Sequence, residues 1–191
     1  MKLLIPALIF CMTFAVAGAA SAQSTPSNPP KADAETHLKL GNTLFDKGDL
    51  DGAIVEFRQA LRLKRDYPEA HYFLGNALYG KHDPDGAIAQ YHEALRLNPR
   101  YVRAHYDLAN ALWMNGDIDG AIAEFHQTLR LKPDDPEAHY NLGQVLAVKG
   151  DRSGAIAEFR ETLRLDPSYQ LARQGLANEQ LLEKTAPESK H

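Results

Sequence analysis

The chain has 191 residues, of which 44% are hydrophobic, enough for a buried core, so disorder throughout is excluded. Its 21 Lys and Arg are interspersed with 25 Asp and Glu for a net charge of -4, which excludes the basic stripe that nucleic-acid binding requires. Cys11 is the single cysteine, so no disulfide can form within the chain.

Residues 1–22 read as a secretory signal peptide: Lys2 supplies the positive start, Leu3 to Ala19 is an apolar run, and Ala20-Ser21-Ala22 is a small-residue cleavage site. The alternative is an uncleaved membrane anchor. Cys11 follows the bulky Phe10, which argues against lipidation at a cleavage point. Residues 23–33 are rich in Ser, Thr, Asn and Pro and form a flexible linker. Export past the inner membrane of a bacterium, to the periplasm or the medium, is the expected location, with no stable membrane span after cleavage.

From residue 34 the sequence repeats every 34 residues, giving units 34–67, 68–101, 102–135 and 136–169. Ala53, Ala87, Ala121 and Ala155 stand in step, as do Ile54, Ile88, Ile122 and Ile156, the Leu40, Leu74, Leu108 and Leu142 column, and Arg62, Arg96, Arg130 and Arg164. Within a unit the apolar and small residues follow a helical period twice, as in Leu74, Gly75 and Leu78 and then Ala87, Ile88, Tyr91, Ala94 and Leu95. The two helices are divided by Lys47-Gly48-Asp49 and its counterparts, Gly suited to a helix stop and Asp to a restart. Pro99, Pro133 and Pro167 close the second helices, while Arg65 in the first unit predicts a less sharply ended one. A capping helix is expected over 170–184, covering the last hairpin with Leu171, Leu176, Ala177, Leu181 and Leu182 and turning the polar Arg173, Gln174, Asn178 and Glu179 outward, before a polar tail at 185–191.

This pattern resembles the tetratricopeptide repeat, with small residues at repeat position 8 (Gly41, Gly75, Ala109, Gly143), Ala at 20 and an aromatic at 24 (Phe57, Tyr91, Phe125, Phe159). The resemblance implies an all-α, right-handed α-solenoid of four helix-turn-helix hairpins plus a capping helix. It also implies that the first helices line a concave groove and that the chain is a non-catalytic protein-protein interaction module. Carried over position by position, the groove-facing residues are Tyr72, Asn76, Tyr79, Arg103, Tyr106, Asn110, Trp113, Tyr140 and Gln144. Asn and Gln can both donate to and accept from an extended peptide, and the aromatic residues add apolar area at low entropy cost. The alternative is that the tyrosines and amides are repeat consensus, present for packing and solubility.

Some relatives in that family hold a C-terminal carboxylate with Lys, Asn and Arg, but here Leu38 and Asp107 stand where a Lys and an Arg would, so that clamp is not expected. His37, His71, His105 and His139 share repeat position 4, a packing site, and first helices of adjacent units lie too far apart to share one metal ion. No metal or cofactor is therefore expected, and no metalloprotease, serine-hydrolase or nucleotide-binding motif is present. The expected partner is a peptide segment of an envelope protein, bound by a monomer or weak oligomer. A self-assembling structural protein is the alternative.

Overall fold

The computed structural model describes residues 33–185, so the signal peptide, nearly all of the linker and the tail from 186 onward lie outside the described residues. Nine helices account for the regular structure described: α1 (Ala34–Asp46), α2 (Leu50–Leu63), α3 (Pro68–Gly80), α4 (Pro84–Leu97), α5 (Val102–Met114), α6 (Ile118–Leu131), α7 (Pro136–Lys149), α8 (Arg152–Leu165) and α9 (Gln170–Thr185). Each helix packs on the next in sequence, and α1 also meets α3, α3 meets α5, and α7 meets α9. The result is an α-solenoid.

Each second helix starts at an Asp whose carboxylate accepts the backbone N–H of the Gly three residues on, at 2.9 Å in all four units. Gly52, Gly86, Gly120 and Gly154 are needed there because a Cβ would lie 2.3 to 2.6 Å from the capping carboxylate oxygen. The turn before each cap carries a left-handed residue, Gly48, Gly116 or Gly150 at φ of 80, 85 and 88°. In the second unit His82 occupies this conformation at φ 60°, the single positive-φ residue other than Gly in the described chain. The second helices all stop in register, at Leu63, Leu97, Leu131 and Leu165, so Arg65 does not fray α2 as its replacement of proline suggests. There the backbone turns extended at Lys64, and His71 Nε2 bonds the Arg65 carbonyl at 3.2 Å, anchoring the connection without the proline.

The core sits between the two helices of each hairpin. Phe57, Tyr91, Phe125 and Phe159 are all but fully buried. A Cβ on Gly41, Gly75 or Gly143 would stand 2.5, 2.7 and 2.7 Å from the facing ring, so the small column is where the aromatic ring lies against the backbone. The histidine column belongs to this scaffold. His37, His105 and His139 place Nδ1 2.6 Å from Glu56, Glu124 and Glu158 on the second helix, and His71 bonds Gln90 at 2.9 Å. In the later units Nε2 faces the carbonyl of Arg65, Pro99 or Pro133 at 3.0 to 3.2 Å, so each ring ties its own hairpin to the end of the preceding one.

The ends of the array depart from the sequence reading. Leu74, Leu108 and Leu142 are buried, but Leu40 is 45% exposed because among the described residues no hairpin stands before it to cover its face. On α9, Ala172 is buried and Gly175 and Leu176 are half-buried, whereas Leu171, Leu181 and Leu182 are 54%, 62% and 48% exposed and Ala177 is also exposed. The expected covering face is therefore rotated: Gly175 lies against the Phe159 ring, Glu179 turns inward to Arg152 of α8 at 3.4 Å, and the outward side is not uniformly polar. The physical reason is that small residues, Ala172 and Gly175, allow the closest approach of α9 to α8.

Candidate functional site

One face of α1, α3, α5 and α7 carries a row of clefts. The largest, of about 560 Å³, is walled by Tyr72, Arg103, Tyr106 and Asp107 and closed by Thr128, Leu131, Lys132, Asp135 and Glu137. A second, of about 270 Å³, lies one repeat earlier between Phe45, Asn76, Tyr79, Tyr91, Asp107 and Asn110. A third, of about 220 Å³, is formed by Tyr140, Gln144 and Ala147 with Gln174 and Asn178 of α9.

The tyrosines at repeat position 5 are half structural. Tyr72 is only 6% exposed, with its ring 4.9 Å from that of Tyr101, and its hydroxyl donates to Asp107 Oδ2 on the next first helix at 2.7 Å. Burial, and then the neighbouring Asp107 charge, push its pKa up, so it remains a donor across the ordinary pH range. Tyr106 packs edge-on to Phe125, its hydroxyl accepts from Asn141 Nδ2 at 2.7 Å, and burial pushes it up to about 12. Tyr140 packs at a tilt against Tyr169 with centroids 5.0 Å apart, and its hydroxyl accepts from the Gln144 amide. These hydroxyls bridge from one first helix to the next in the first two cases, a role that repeat spacing alone does not disclose.

The amides are partly engaged as well. Asn76 Oδ1 accepts the Tyr91 hydroxyl at 2.8 Å, leaving its amide group at the cleft wall, which Asn110 also lines. At the first unit Asn42 Oδ1 is buried with no hydrogen-bond partner among the described residues. Tyr79 is half-buried on the wall of the second cleft with its hydroxyl against the Met114 sulfur. Trp113 is half-buried and packs against the core edge but lines none of the three clefts described, so packing accounts for part of its presence. Arg103 is exposed at the rim of the largest cleft.

Two residues that were not among the expected groove residues shape the site. Position 34 carries Tyr67, Tyr101 and Tyr169, and the last two stack on the position-5 tyrosine, but in the third unit it is Asp135, which instead caps α7 through the Glu137 and Ala138 N–H groups. The missing ring leaves the space beside Tyr106 that forms the largest cleft. Asp107, at a position occupied elsewhere by Lys39, Phe73 and Asn141, is the wall common to the first two clefts. Burial raises its pKa, opposed by the Tyr72 hydrogen bond and the Arg103 charge. For Asp135 the signal in the sequence is one residue breaking a tyrosine column; the position of Asp107 varies from unit to unit and carries no such signal.

Among the described residues no group of three or more His, Cys, Asp or Glu could hold a metal ion, and no helix is long and apolar enough to cross a membrane. Helix hairpins stacked in one direction, with aromatic and amide side chains along one face, define a helical-repeat solenoid with a lined groove. The family described as "Tetratricopeptide repeat" matches residues 74–136 and 106–169, and a second, "TPR repeat", matches 41–81. The chain belongs to the tetratricopeptide repeat family, which is generally a non-catalytic interaction module.

No curated protein matches the sequence. Among solved structures the chain is similar to the MamA protein, at 24% identity and a TM-score of 0.76 over 79% of this chain and 82% of that one. It is likewise similar to PilF of Pseudomonas aeruginosa, at 22% identity and a TM-score of 0.71 over 79% and 69% of the two chains. A third likeness, at 20% identity and a TM-score of 0.61 over 62% and 94%, is to the first TPR of Spaghetti (RPAP3) bound to the HSP90 peptide SRMEEVD. At these identities the likeness is one of fold.

Proposed function

We propose that this chain is an exported, non-catalytic adaptor that holds an extended segment of an envelope protein in the groove of α1, α3, α5 and α7. The observation that carries the reading is the continuity of the lining: three clefts over successive units, each combining tyrosine rings with an Asn or Gln amide or a charged side chain. Rings of this kind bury area at little entropy cost, and amides pair with a peptide backbone whatever its sequence. The solved relative with a peptide bound supports the mode of binding, while the acidic Asp107 at the groove centre disfavours a strongly acidic ligand such as SRMEEVD. The envelope location rests on the signal peptide read from residues 1–22.

A pull-down from envelope extract, identifying captured proteins by mass spectrometry, tests this against the Trp113→Ala, Asn110→Ala double variant. A protein held by the native chain and lost by the folded double variant supports groove binding; equal capture by both moves the site off the groove. End-to-end self-association is a second reading, favoured by the exposed Leu40 at one end of the array and Leu171 at the other. Sedimentation velocity separates the two, because self-association makes the sedimentation coefficient rise with concentration without any partner.

A further inference from the structure

The second cleft has one carboxylate in its lining. Its walls are Phe45, Tyr79, Tyr91 and the amides Asn76 and Asn110, together with Asp107, which it shares with the larger cleft. Arg103 and Lys132 line the larger cleft on the other side of Asp107, where Lys132 is paired with Asp135 at 3.0 Å. The Asp107 carboxylate receives a single hydrogen bond among the described residues, from the Tyr72 hydroxyl at 2.7 Å. A largely buried carboxylate with one neutral donor is under-compensated, since its charge has left water without a cation in contact.

From this geometry we infer that the second cleft receives one Lys or Arg side chain of the bound segment, its cationic head on Asp107 and its methylene stem along Phe45 and Tyr79. This rests on the groove reading above and adds the chemistry of the partner. A volume of about 270 Å³ suits one long side chain. The head gains a charge-assisted hydrogen bond in a place of low dielectric, the aromatic walls accept the apolar stem, and the ring faces attract a cation. Approach from the larger cleft is opposed by Arg103, which fixes the direction from which the side chain enters. Asp107 is also the reason an acidic segment would be rejected, because it would leave like charges together at the groove centre.

The test is a selection of random 12-residue peptides displayed on phage against the full chain and against Asp107→Asn, followed by affinity measurement of the best peptide and of its Lys-or-Arg→Gln version. Asn is a safe replacement because Asn141 fills the equivalent position in the next unit and bonds Tyr106 there. The inference expects a basic residue at one fixed place in the selected peptides, a loss of about tenfold or more when it becomes Gln, and no such preference on Asp107→Asn. The Gln comparison on the native chain decides the matter even if the variant does not fold. Peptides selected without a fixed basic residue, or bound equally well as Gln, overturn this inference and leave groove binding standing. If native chain and the Trp113→Ala, Asn110→Ala variant select the same peptides, or nothing is selected, the groove reading falls and this inference with it.

Discussion

His105 ties three parts of the array together, and its removal has a cost that can be worked from the structure. The residue is 9% exposed, with Nδ1 2.6 Å from Glu124 Oε2 and Nε2 3.1 Å from the Pro99 carbonyl. Both partners are acceptors, so both bonds are satisfied only when the imidazole carries two protons. A charge-assisted bond is worth about 1.5–3 kcal/mol and a neutral one about 1 kcal/mol, and the 21% exposure of Glu124 lets water recover some of it, so His105→Ala should cost about 2–3 kcal/mol. His37 has the Glu56 bond but, among the described residues, no carbonyl of a preceding hairpin to reach, so His37→Ala should cost about 1 kcal/mol less.

The pH dependence has a fixed sign. The Glu124 hydrogen bond raises the His105 pKa, so the folded chain holds the proton more tightly than the unfolded one. Its contribution is complete below the unfolded value of about 6.5 and is lost as pH rises through the higher folded value. The difference between native chain and His105→Ala should therefore be larger at pH 6 than at pH 9. Urea unfolding followed by circular dichroism and Trp113 fluorescence measures it, coincidence of the two probes testing whether the array unfolds as one unit. A cost no greater than that of His37→Ala, or one that grows toward pH 9, would refute the assignment of His105 as a two-sided tie.

Gly75→Ala should destabilise by about 1–3 kcal/mol in thermal or urea unfolding, because the added Cβ would meet the buried Tyr91 ring at 2.7 Å. His82→Gly should stabilise by about 1 kcal/mol, read as a raised melting temperature, because it relieves a left-handed residue that the other three turns fill with Gly. Asp107→Asn should also raise the melting temperature at pH 7, since the raised Asp107 pKa means its ionised form is favoured less in the fold than in the unfolded chain, and the gain should fade as pH falls through the raised folded value and be gone below the unfolded carboxylate value. An unchanged or lower melting temperature at pH 7 would show that the charge is fully compensated in place.

Hairpins, turns and core columns were legible because each is dictated by neighbours close in sequence. An Asp with a Gly three residues on makes a cap, a Gly after the first helix makes the left-handed stop, and a ring 16 residues past a small residue fills the gap beside it. The 34-residue repeat then multiplied one local solution four times. The fold class followed from that alone.

What the sequence left open depends on contacts one repeat away or on being at an end. Tyr72 and Tyr106 could be placed on the groove side by position, but their burial and their bonds to Asp107 and Asn141 arise from the neighbouring first helix. Leu40 and Leu142 share a column, yet the first is exposed and the second buried because burial belongs to the pair of hairpins, not to the residue. The face presented by α9 was set by Ala172 and Gly175 permitting close approach to α8, against the longer apolar stripe that the sequence offers. Likewise, the largest cleft lies where Asp135 breaks a tyrosine column, and only the stacking of one unit on the next turns such a break into a cavity, with the Asp107 carboxylate in its wall.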